Sequence, residues 1–88
     1  MGSALLELGE RYWALGLPAA ARSALVRALA EDGSDAAPAL RLTDIALAQG
    51  DVQAARGYAA EAVKRAPGPA TRIVMAHAQL AAGEIAAA

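Results

Sequence analysis

Residues 6–28 read LELGERYWALGLPAAARSALVRA and residues 40–62 read LRLTDIALAQGDVQAARGYAAEA. At an offset of 34, Leu6 falls on Leu40, Leu8 on Leu42, Ala14 on Ala48, Gly16 on Gly50, and Ala20-Ala21-Arg22 on Ala54-Ala55-Arg56. A further offset of 33 lays Leu47-Ala48 on Leu80-Ala81, Gly50 on Gly83, Asp51 on Glu84 and Ala54-Ala55 on Ala87-Ala88. Alanine matches carry little weight in a chain that is roughly a third alanine. The matched leucines and the three aligned glycines make it an internal repeat.

Glycine and proline also mark where each repeat folds. Breaks fall at Gly16-Leu17-Pro18, Gly33-Ser34-Asp35, Gly50-Asp51, Pro67-Gly68-Pro69 and Gly83-Glu84. The stretches between them predict helices over residues 3–15, 18–32, 36–49, 52–66 and 69–82, with a sixth starting at Ile85. Pro18 and Pro69 suit first helical positions, where the missing N–H has no intrahelical acceptor anyway. Asp35 and Asp51 are placed to cap the helices that follow them. Gly16, Gly50 and Gly83 suit left-handed helix ends. Loops this short force consecutive helices to run antiparallel. The fold class is all-α, built from antiparallel helix hairpins. Leu8, Leu25, Leu29, Leu42, Val63 and Met75 are expected to fill the space that alanines leave at the helix crossings.

Composition narrows the function classes. The chain has 88 residues, 57% hydrophobic and 19% charged, with eight basic against nine acidic side chains. That is one small domain with no electrostatic footprint for a nucleic-acid backbone. With no cysteine and a single histidine, His77, neither a disulfide nor a zinc site is expected. The longest uncharged run, Ile73 to Gly83, is too short to span a bilayer. Ser23, Asp44 and His77 supply the residue types of a nucleophilic triad, but no strained elbow or oxyanion loop activates the serine. There is no glycine-rich phosphate loop, so neither catalysis nor a cofactor is expected.

The period and the helix–turn–helix unit resemble the tetratricopeptide repeat family. The first unit carries Leu8-Gly9, Tyr12, Gly16, Ala21, Leu25 and Ala28 at the family's positions. The second carries Leu42-Thr43, Ala46, Gly50, Ala55, Ala59, Ala62 and Pro67. Gly33 replaces the terminal proline in the first unit, while Ala46 and Ala59 stand where bulk is usual, which implies a looser second unit. The resemblance implies a short right-handed α-solenoid over residues 1–88. Its repeats would run 2–35, 36–68 and a truncated 69–88, excerpted from a longer array. The alanine- and arginine-rich composition resembles the product of a GC-rich bacterial gene.

In that family the first helices line a concave groove. The register puts two apolar columns there, Leu6, Leu40 and Ile73 in one and Trp13, Leu47 and Leu80 in the other. Between them runs a polar column of Glu10, Asp44 and His77. An apolar groove suits an amphipathic helix or peptide of a partner protein. It lacks the cations that clamp a chaperone's C-terminal carboxylate. The repeated Arg22 and Arg56 fall on second helices, where they are expected to solvate the outer surface and pair with nearby acids for little net energy rather than bind nucleic acid. Two other uses are a structural spacer and self-association, the latter as a homodimer through the unfinished C-terminal end.

Overall fold

The computed structural model describes residues 4–87, with side chains as far as Gly83. The chain is all-α. Helices α1 (Ala4–Ala14), α2 (Pro18–Glu31), α3 (Ala37–Ala48), α4 (Val52–Arg65) and α5 (Pro69–Ala87) account for most of it. The expected starts and ends agree to within a residue, except at the last helix. Ser3 and Ala88 lie outside the described residues.

The turns form for the reasons read from the residues. Gly16 and Gly50 take φ of 76° and 75°, the left-handed conformation that a Cβ disfavours. Each closes the paired bonds of a Schellman end. Gly16 N–H donates to Trp13 O and Leu17 N–H to Tyr12 O, while Gly50 N–H donates to Leu47 O and Asp51 N–H to Ala46 O. Asp51 then starts α4 by accepting from Ala54 N–H at 3.2 Å. Asp35 accepts from Ala37 N–H at 3.0 Å, and Ala36 already has helical dihedrals, so the aspartate caps α3.

Gly83 behaves differently. The expected break there and the sixth helix from Ile85 are not observed, because α5 runs on through Gly83 to Ala87. Glu84, Ala86 and Ala87 are good helix formers, and an interior glycine costs only ~1 kcal/mol relative to alanine. That penalty is too small to end a helix when nothing pulls the chain back.

Consecutive helices pack as antiparallel pairs, and the pairs pack on one another. Helix α1 packs on α2, α3 on α4, and each later first helix packs on the hairpin before it: α3 on α2 and α1, α5 on α4 and α3. The molecule is 17 Å across its thinnest direction, room for two helix layers at the usual 8–10 Å separation. One core cluster holds Ala21, Leu25, Leu42 and Ile45, with Tyr12, Trp13, Leu6, Leu29 and Tyr58 against it. The second holds Ala46, Ala55, Ala59 and Ala78, with Leu47, Met75 and Val74 against it. At offsets of 34 and 33 six members of the first correspond to members of the second, while Leu40 and Val63, the counterparts of Leu6 and Leu29, do not join it. Ala21 maps to Ala55, Leu25 to Ala59, Ile45 to Ala78, Leu42 to Met75, Tyr12 to Ala46 and Trp13 to Leu47.

Leu8 does not fill the core as expected, being 39% exposed. Its counterpart Leu42 is fully buried against Ala21 and Leu25 of α2. The bare side of α1 has no such neighbour among the described residues. Gly9, beside it, is the close-approach position. A Cβ there would lie 2.5 Å from Leu25 Cγ and 3.3 Å from Ala21 O.

Candidate interaction groove

All nine residues of the three columns lie on α1, α3 and α5, but neighbouring helices cover them unequally. Leu6 and Trp13 are half-buried against the first core cluster, and Leu47 is half-buried against the second. Leu40 is also half-buried. Ile73 and Leu80, at the same register on α5, are 56% and 62% exposed. The apolar columns are therefore partly used for stacking one helix pair on the next, and they open toward solvent at α5.

The polar column contains a residue that the register argument missed. Arg41 lies between the two acids, with Nη2 3.9 Å from Glu10 Oε1 and Nη1 3.5 Å from Asp44 Oδ2. The Asp44 contact is an ordinary i,i+3 helical pair, a signal available in the sequence. Asp44 thus has a cation on its own helix. His77 is exposed and makes no ion pair among the described residues. Ser23 is exposed on α2. A shallow open depression beside Glu10 is lined by Glu7, Arg11 and Ala14 as well.

Two other arginines tie the hairpins together. Arg22 on α2 donates to Gln49 Oε1 at 3.0 Å and Asp51 Oδ2 at 3.1 Å, and its guanidinium lies over the Tyr58 ring, 5.6 Å from the centroid. Arg22 thus pairs with a nearby acid, as expected, and the partner lies on the next hairpin. Arg65 at the end of α4 donates from Nε to Glu61 Oε2 at 2.7 Å. Its Nη1 reaches back to the carbonyls of Asp32 at 2.7 Å and Asp35 at 3.1 Å. The first contact joins α2 to the α3–α4 turn, the second joins α4 to the α2–α3 loop. That loop is itself fixed by Asp32, whose Oδ1 accepts from Ser34 N–H and Ser34 Oγ.

These bonds act on the carboxylates. The Ala54 N–H and then Arg22 hold Asp51 below its ordinary value of 3.8. Arg65 holds Glu61 below 4.5. Arg56, the repeat counterpart of Arg22, is exposed and pairs with no acid among the described residues. No helix is long and apolar enough to cross a membrane among the described residues. Compared with protein-family models, with curated proteins and with solved structures, the chain matches none.

Proposed function

We propose that this chain is a protein–protein interaction scaffold. In this reading it is a tetratricopeptide-like segment whose hairpins stack as a short right-handed α-solenoid. Its first helices offer an apolar groove to a helix or peptide of a partner. The observation that carries the reading is the recurrence of one packing pattern at the sequence's own offsets: Ala21, Leu25 and Ile45 become Ala55, Ala59 and Ala78. In such a stack each helix pair covers part of the apolar face of the pair before it, and the positions not reached stay open. On α5 those open positions are Ile73 and Leu80. Large apolar side chains held bare on a helix at i and i+7 suit a helical partner with matching anchors.

The test is selection from a displayed library of amphipathic helical peptides, followed by mapping of amide shifts on the chain. The expected result is saturable binding with shifts at Leu40, Leu47, Ile73 and Leu80. Replacing Ile73 and Leu80 together by aspartate should weaken it by about tenfold or more, as for central interface anchors. Binders whose shifts fall only on the outer sides of α2 and α4 would refute the groove.

A further inference from the structure

We draw no further inference here: the strongest candidate, the exposed side of α5 that carries Ile73, Ala76 and Leu80, is an unpartnered apolar face, and nothing in the structure shows what covers it.

Discussion

At Gly9 two rules oppose each other, and packing decides. Alanine in a helix interior is favoured over glycine by ~1 kcal/mol. A Cβ at Gly9, however, meets the branch point of Leu25, which is fully buried and cannot swing away. Overpacking of this kind costs roughly 1–3 kcal/mol, so Gly9→Ala should be net destabilising by up to about 2 kcal/mol in urea unfolding. Gly57 is the control. Its Cβ position is open, so Gly57→Ala on α4 should stabilise by ~0.5–1 kcal/mol. At the offset of 34, Gly9 and Leu25 become Thr43 and Ala59, so small-against-large is exchanged for large-against-small. Leu25→Ala should relieve Gly9→Ala, and the double variant should lose clearly less than the two single losses added together. Trp13→Ala should itself lower stability by about 2 kcal/mol, because the ring packs on the first core cluster. An unchanged urea midpoint would place Trp13 wholly in the groove.

Each helix end rests on one or two residues, and these ends respond to substitution and to acid in calculable ways. Gly50→Ala puts a Cβ at φ of 75° and should cost about 1–2 kcal/mol in urea unfolding, the opposite sign to Gly57→Ala. Asp51 and Glu61 have lower pKa values folded than unfolded. The stability they contribute is complete above the unfolded values and is lost as pH falls through the folded ones. Urea midpoints should therefore be flat from about pH 8 to 5 and should drop below about pH 4. Asp51→Asn should shrink that drop. The boundaries of α1 to α4 were legible because local chemistry sets them: prolines at first positions, aspartates at caps, and glycines at left-handed ends. Gly83 carries the same signal as Gly16 and Gly50, and it failed as a predictor. A left-handed glycine is adopted only when the following helix gains by packing back, and that gain is a tertiary quantity. The columns of the candidate site were legible from helical spacing. Their unequal exposure was not, because the burial of Leu47 and the exposure of Leu80 depend on whether another helix lies alongside. Arg41 was legible from its spacing to Asp44, but its reach to Glu10 depends on the approach of α1 to α3.

Among the described residues three arginines, Arg22, Arg41 and Arg65, reach between the first two hairpins, and two unequal cores lie beneath them. The first core contains Leu25, Leu42 and Ile45, while the second is alanine at all four buried positions. Since apolar burial stabilises by ~25 cal/mol per Å², the second is the weaker junction. Native-state hydrogen exchange should rank the amides accordingly, with Leu25, Leu42 and Ile45 slowest and Ala78 faster. Equal protection along the chain would contradict that order. Arg65→Ala should loosen the α2–α3 loop, speeding exchange at Ser34 and Ala37 more than at Leu25. The alanine junction also gives the molecule a mechanical polarity. Pulled between its two ends in an optical trap, it should yield in steps rather than at once, with α5 peeling away first. Going from 1.5 Å to about 3.5 Å per residue, its 19 residues lengthen by about 40 Å in that first event. The leucine-filled junction of α1, α2 and α3 should hold to a higher force, so the chain would act as a tether with a built-in first point of release.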